Sequence, residues 1–151
     1  MTILDIGCGN RPEHWIPDSD GLDICDFGQK YILNLEHIAP WPIKDDTYDN
    51  VVANHILEHI VSADAFIHIL NEIWRVTKSG GLFRGAAPRW DSPNFTRDPT
   101  HCRMISEHTF DGFLQNSHIH FNDYGILCAF SKETIVVNHN RDVIWGLRVV
   151  K

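Results

Sequence analysis

Two glycines follow directly on an apolar run in Leu4-Asp5-Ile6-Gly7-Cys8-Gly9. A turn without side chains lets backbone N–H groups approach a ligand closely. A G-x-G-x-x-G dinucleotide fingerprint would place its third glycine at position 12, which is Pro12. A pyrophosphate cradle is therefore disfavoured, and with it a nicotinamide-dependent oxidoreductase; a cofactor without phosphates fits better. The second feature is Asp23, in Gly21-Leu22-Asp23-Ile24. In doubly wound sheets a carboxylate at the C-terminal end of the second strand accepts two hydrogen bonds from ribose hydroxyls. Alone, Asp23 reads equally as a turn or capping residue. One strand after a glycine turn, it points to a nucleoside.

Histidine is the other abundant chemistry, with ten in the chain. His55 and His101 carry imidazoles, the side chain suited near neutral pH to taking a proton from a hydroxyl. His118-x-His120 would set two imidazoles on one face of a strand, a genuine ligand spacing. No third ligand accompanies that pair, and there is neither a Cys/His cluster nor an H-E-x-x-H sequence, so no functional metal is expected. Cys8, Cys25, Cys102 and Cys128 form no C-x-x-C pair. They read as buried or idle thiols, which suits a cytoplasmic protein.

The elements that must position these residues follow from the apolar pattern. Ile3–Ile6, Gly21–Ile24, Tyr31–Leu35, Tyr48–Ala53 and Gly81–Ala87 read as short buried strands of a parallel sheet. Ser62 caps a helix whose apolar stripe Phe66, Ile69, Leu70, Ile73 and Val76 packs on that sheet, and the helix is expected to stop at Lys78-Ser79-Gly80-Gly81. Only about a dozen residues, Pro12 and Pro17 among them, separate Gly9 from the second strand, so the first crossover helix is expected to be a turn or two. Thr134–Asn138 and Val143–Val150 read as an antiparallel hairpin. Between the fifth strand and that hairpin, residues 88–122 form a long polar insertion, with one helix expected from Ser106 to Gln115. The fold class is thus α/β, a Rossmann-like doubly wound, mostly parallel sheet closed by a C-terminal antiparallel hairpin, in one domain spanning 1–151.

The 43% hydrophobic content supports a packed core, and the formal charge of -7, with no Lys/Arg cluster, argues against nucleic acid as a partner. No apolar run approaches the length of a membrane span. Trp15, Trp41 and Trp90 lie at expected strand ends and loops, where a ring could wall a pocket or simply pack.

Four ordered motifs now stand together: D-I-G-C-G at Asp5, the acid Asp23, P-x-x-D-x-x-Y-D-x-V from Pro42 followed by H-x-L-E-H from His55, and E-x-x-R-V-x-K-x-G-G from Glu72. From about Ile3 to Gly85 the chain resembles the class I S-adenosylmethionine-dependent methyltransferases, in the small-molecule branch with a short first helix. The resemblance implies S-adenosylmethionine as cofactor. Asp5, Gly7, Cys8 and Gly9 would hold its methionine portion, Asp23 its ribose, and Ile24 its adenine. Asn34 and Leu35 would sit near the adenine edge, although this family often has Asp where Asn34 stands. Asn54 and His55 would border the methyl group, and Glu58 and His59 would orient the following helix.

The loop Asp98-Pro99-Thr100-His101-Cys102-Arg103 resembles an acceptor-side loop of such enzymes, making His101 and Arg103 candidates to meet the acceptor; the alternative is that Asp98, His101 and Arg103 tie the loop to itself. The acceptor class implied is a small polar metabolite or glycan. Relatives usually carry a helical segment before the first strand, whereas here the strand-like run begins at Thr2. Cover for the pocket is then expected from the 88–122 insertion or a neighbouring chain, as in a homodimer, or else the pocket is open to a large acceptor. The competing reading is a non-catalytic methyltransferase-like module that serves a partner protein.

Overall fold

The computed structural model describes residues 1–10, 16–117 and 124–151. Seven strands form one sheet: β1 (Ile3–Ile6), β2 (Ser19–Asp23), β3 (Tyr31–Ile32), β4 (Tyr48–Asn54), β5 (Thr77–Pro88), β6 (Phe130–Val137) and β7 (Asp142–Val149). Their order is β3-β2-β1-β4-β5-β7-β6. Strands β1 to β5 pair in parallel, and β7 runs antiparallel to both β5 and β6. β1, with Leu4, Asp5 and Ile6 all buried, has neighbours on both sides, and the chain switches direction of travel across the sheet there. Ligands in such sheets bind at the carboxyl ends of the strands beside that switch point.

One long helix, α1 (Ala63–Val76), covers the sheet. The Ser62 side chain accepts a hydrogen bond from the Ala65 N–H, satisfying an otherwise unpaired donor of the first turn. Phe66, Ile69, Leu70, Ile73 and Val76 are buried together with Val51, Phe83 and Leu147 of the sheet. The helix stops two residues before the expected glycine stop. Thr77 is already extended and pairs with Tyr48, and its hydroxyl donates to the Ile73 carbonyl at 2.6 Å. A β-branched residue with a strand partner leaves the helix early.

A charged clasp holds α1 to the segment before β4. Arg75 grips Glu72 through two nitrogens, at 2.8 and 2.6 Å, while Glu72 accepts the Trp41 backbone N–H at 2.6 Å. The remaining Arg75 donors go to Asp45 and to the carbonyls of Ile43 and Trp41. This is the E-x-x-R of the sequence, and its bidentate geometry leaves no charge unmet. Trp41 is accordingly a core residue rather than a pocket wall.

Three expectations change. Tyr31–Leu35 is a strand only at Tyr31–Ile32, because the Asn34 side chain accepts the Glu36 N–H and turns the chain. The helix expected from Ser106 to Gln115 is a single 3₁₀ turn, Asp111–Phe113. There Thr109 accepts the Ser106 N–H through its hydroxyl and donates its own N–H to the Ser106 carbonyl, local bonds that compete with a helix. The 88–122 region is also less solvent-facing than its polarity suggests: Ile105, Phe110 and Phe113 enter the core. A short helix not anticipated from the sequence, α2 (Pro93–Arg97), starts at the Ser92 cap. The stunted first crossover, with Pro12 and Trp15, and the His118–His120 pair lie outside the described residues.

The opposite face of the sheet is open among the described residues. A concavity of about 590 Å³ runs over β4, β5, β7 and β6, where Val52, Leu82 and Ile144 neighbour Arg84 and Glu133. No helix of the described residues is long and apolar enough to cross a membrane.

Gly85 marks where β5 is pressed hardest. A Cβ there would lie 2.1 Å from the Ala53 carbonyl and 2.3 Å from the Trp145 ring. Backbone cannot yield as a flexible side chain does, so Gly85→Ala is expected to destabilise the protein by about 3 kcal/mol, a cost typical of overpacking. Urea denaturation of the variant checks this; an unchanged midpoint would contradict the packing described.

Candidate functional site

The end of β1 and the end of β2 are joined by backbone bonds. Gly7 and Gly9 both have φ of +70°, a conformation that favours glycine. The Gly7 and Cys8 N–H groups donate to the Leu22 carbonyl at 2.7 and 3.3 Å. Gly9 N–H donates to Asp23 Oδ2 at 2.9 Å, and Cys25 N–H to Asp23 Oδ1 at 3.2 Å. The glycine bend and the carboxylate therefore face one another in one cleft. The expectation that the loop amides reach toward a ligand needs correction, since these three are engaged with β2. What the bend provides is room: a Cβ on Gly7 would come within 2.8 Å of Ile56, and one on Gly9 would meet nothing within 4 Å.

Beside Asp23 lies a cavity of about 130 Å³. Gly7, Asp23, Ile24, Asn34 and Leu35 line it, five residues singled out from sequence. Leu33, Glu36, Ile56, His59 and Ile60 line it as well and were not anticipated. The signal available for Ile56 and Ile60 was their place in the apolar turn directly after β4, on the ligand side of the sheet. Leu33 N–H donates to the Asp23 carbonyl at 2.9 Å, which draws the wall after β3 against the carboxylate. Asn34 spends its side-chain oxygen on the Glu36 N–H, and the Glu36 carboxylate accepts the N–H groups of Val61 and Ser62 at 2.6 and 3.2 Å.

Asp5 does not line this cavity but sits buried behind the bend. Burial pushes its carboxyl from the ordinary 3.8 up to about 6, against the opposing pull of an Ile16 backbone hydrogen bond. Burial, then the negative charges of Asp23 and Asp5, push the Cys8 thiol up to about 11, so it stays protonated. All four cysteines are free.

The end of β4 is a second corner. His55 has φ of +53° and donates its N–H to the Ala86 carbonyl at 2.8 Å. Its half-exposed ring places Nδ1 3.4 Å from Glu58 Oε1, and that carboxylate raises the imidazole pKa despite partial burial. Asn54 is exposed and borders the open-face concavity instead of the 130 Å³ cavity.

The loop after β5 returns to this corner. Cys102 and Arg103 N–H groups both donate to the Glu58 carbonyl at 2.9 Å. His101 Nδ1 is 3.1 Å from the Phe95 carbonyl, and its Nε2 lies 3.6 Å from Asp98 Oδ2 and 3.9 Å from Glu58 Oε1. Arg103 donates to the carbonyls of Ile60 and Val61 at 2.9 and 3.0 Å and stacks over Phe66 at 4.6 Å. His101 and Asp98 tie the loop to itself, while Arg103 ties it to the segment after β4. Trp90 is half exposed just after β5 and is not among the residues lining this cavity.

Residues 26–84 match the family model described as a methyltransferase domain. No curated protein matches the chain. Among solved structures, a SAM-dependent methyltransferase from Aquifex aeolicus is 15% identical, with 99% of this chain and 82% of that one covered and a TM-score of 0.64. A 1,6-didemethyltoxoflavin-N1-methyltransferase from Burkholderia thailandensis, solved with its namesake compound and S-adenosylhomocysteine bound, is 13% identical, with coverages of 99% and 71% and a TM-score of 0.63. A chain of the Haloferax volcanii complex between the Trm112 methyltransferase activator and a putative methyltransferase is 15% identical, with coverages of 99% and 83% and a TM-score of 0.60. At these identities the structural likeness speaks for the fold alone, and the matched segment is similar to a methyltransferase domain over that stretch. The β3-β2-β1-β4-β5-β7-β6 sheet and these likenesses give the chain the fold of the class I S-adenosylmethionine-dependent methyltransferases, with an acid-flanked cleft at its switch point.

Proposed function

We propose that the chain binds S-adenosylmethionine across the ends of β1 and β2 and transfers its methyl group to a small polar or glycan-type acceptor. The observation that carries this reading is the Asp23 carboxylate, fixed 2.9 Å from the Gly9 amide at the edge of an apolar-walled cavity. Each carboxylate oxygen accepts one backbone N–H and has a further lone pair for a ribose hydroxyl. Ile24, Leu35 and the unanticipated Leu33, Ile56 and Ile60 suit the faces of an adenine ring, with Asn34 at its edge. Bound there, the cofactor supplies a methyl group on a positively charged sulfur.

Asp5, Gly7, Cys8 and Gly9 form the corner for the methionine portion. A cation in that corner would offset the cost of ionising buried Asp5. His55 borders the methyl end, whereas Asn54, expected beside it, turns to the open-face concavity. Transfer from a sulfonium needs alignment and exclusion of water more than acid–base machinery. Where the acceptor is a hydroxyl, His55, with its pKa raised by Glu58, is the group suited to take its proton; His101, the other base candidate, serves the loop instead, with Nδ1 against the Phe95 carbonyl and Nε2 beside Asp98 and Glu58. Arg103 shapes the acceptor-side loop, since its guanidinium is committed to two carbonyls. Four free thiols suit a cytoplasmic setting.

Calorimetric titration with S-adenosylmethionine tests the reading. Asp23→Asn is expected to weaken binding by about 10- to 100-fold, the worth of hydrogen bonds to a charged group. No binding by the wild type at high micromolar concentration, or unchanged affinity in the variant, would overturn it. A screen of sugars and polar metabolites, read by S-adenosylhomocysteine release, tests the acceptor class; binding without turnover on any of them would favour the non-catalytic module.

Asp5 gives a second expectation, through pH. Its folded-state pKa of about 6 lies above the ordinary 3.8, so the protonated form contributes stability that is fully present below pH 3.8 and lost as pH rises through 6. At pH 8 the empty protein carries this unfavourable charge, and Asp5→Asn is expected to stabilise it by about 1–3 kcal/mol while weakening cofactor binding. Thermal melts at pH 5 and pH 8 read the effect; a variant less stable than the wild type at pH 8 would contradict it.

A further inference from the structure

Glu58 is wholly buried, and no donor reaches either of its carboxylate oxygens in hydrogen-bonding geometry. A bare carboxylate in that position is costly unless a proton or a cation meets it. Imidazoles surround it instead. One donor atom from each of Glu58, His59 and His101 lies within 4.8 Å of the others.

The partners of the two histidines orient them as ligands. His101 Nδ1 faces the Phe95 carbonyl at 3.1 Å, which can only accept, so Nδ1 carries the proton and the Nε2 lone pair of the neutral ring points toward Glu58 and Asp98. His59 Nδ1 lies 3.0 Å from the Thr100 hydroxyl, whose own proton goes to Asp98 Oδ1 at 2.6 Å. His59 Nδ1 is therefore also the donor, and its Nε2 is left with the lone pair. Carbonyl and carboxylate-linked partners behind the distal nitrogen are the usual outer support of metal-binding histidines. The Asp98 carboxylate, fixed through Oδ1 by the Thr100 hydroxyl at 2.6 Å, presents Oδ2 3.6 Å from His101 Nε2.

We propose that Glu58, His59 and His101 form a binding site for one divalent first-row transition-metal ion, with Asp98 within reach as a fourth ligand. Two imidazoles with one or two carboxylates suit ions such as Zn²⁺, Mn²⁺ or Co²⁺. The spacing hid the site: His101 lies far along the chain from Glu58-His59, and it is brought in by the backbone bonds from Cys102 and Arg103 to the Glu58 carbonyl. Because His59 also lines the cavity beside Asp23, the ion would sit between that cavity and the 98–103 loop. There it can hold an oxygen of the acceptor, a placement that rests on the methyltransferase reading, whereas the metal site does not.

The test is calorimetric titration of EDTA-stripped protein with Zn²⁺, without cofactor, together with the visible spectrum of the Co²⁺-loaded protein. The expected result is one ion per chain and Co²⁺ d–d bands without a thiolate charge-transfer band. Glu58→Gln and His101→Ala are each expected to weaken Zn²⁺ binding by about tenfold or more, at least the loss seen when outer-shell support is removed. His118→Ala/His120→Ala is expected to bind as the wild type does. Far-UV circular dichroism and metal-free melts establish that each variant folds; should Glu58→Gln fail to, His59→Ala takes its place. Absence of Zn²⁺ binding, a thiolate band implicating Cys102, or wild-type affinity in folded His101→Ala would overturn the proposal. None of those outcomes bears on S-adenosylmethionine binding, which is read separately.

Discussion

The candidate site is organised around one carboxylate. Asp23 accepts the amides of Gly9 and Cys25 through its side chain, and its own carbonyl accepts the amide of Leu33. Three segments that leave the sheet at the ends of β1, β2 and β3 are thus tied at one residue. A charge-assisted bond to a backbone amide is stronger and shorter than a neutral one. It holds a loop containing two left-handed glycines in one shape, and it keeps the acid at the edge of an apolar cavity where a nucleoside would need it.

Two kinds of buried charge can be distinguished. Glu72 and Arg75 satisfy each other and the backbone around them, so that pair serves as a clasp between α1 and the chain before β4. Asp5 and Glu58 have no Arg or Lys partner among the described residues, and both are buried near the carboxyl edge of the sheet, Glu58 with His55 at 3.4 Å. Uncompensated charge in a fold that elsewhere meets its charges is a mark of a site that expects a ligand.

Among the described residues one long helix, α1, makes the sheet lopsided. α1 and the buried residues of the 88–122 region fill one face, while the other shows Val52, Leu82 and Ile144 beside Arg84 and Glu133. Asn54 belongs to that open side and His59 to the cavity, although both follow from the same stretch after β4. A left-handed residue, His55, separates them and turns the chain from one side to the other.

Local pattern made much of this legible. Short, largely apolar runs such as Ile3–Ile6 and Tyr48–Ala53 read as buried strands, and the stripe from Phe66 to Val76 with its Ser62 cap reads as an amphipathic helix against them. That the glycine bend and Asp23 meet in one cleft was readable because each stands at the end of a neighbouring strand. What escaped depended on contacts between distant segments. The turn at Asn34, the early end of α1 at Thr77 and the 3₁₀ turn at Phe113 were decided by side chains that found partners outside the pattern. The amides of the glycine loop were spoken for by β2, and Arg103 by the carbonyls of Ile60 and Val61. Glu58, His59 and His101 met because backbone bonds drew the 98–103 loop onto the end of β4. Spacing along the chain determines what one element can do; only folding decides which elements share a corner, because that depends on hydrogen bonds formed between residues tens of positions apart.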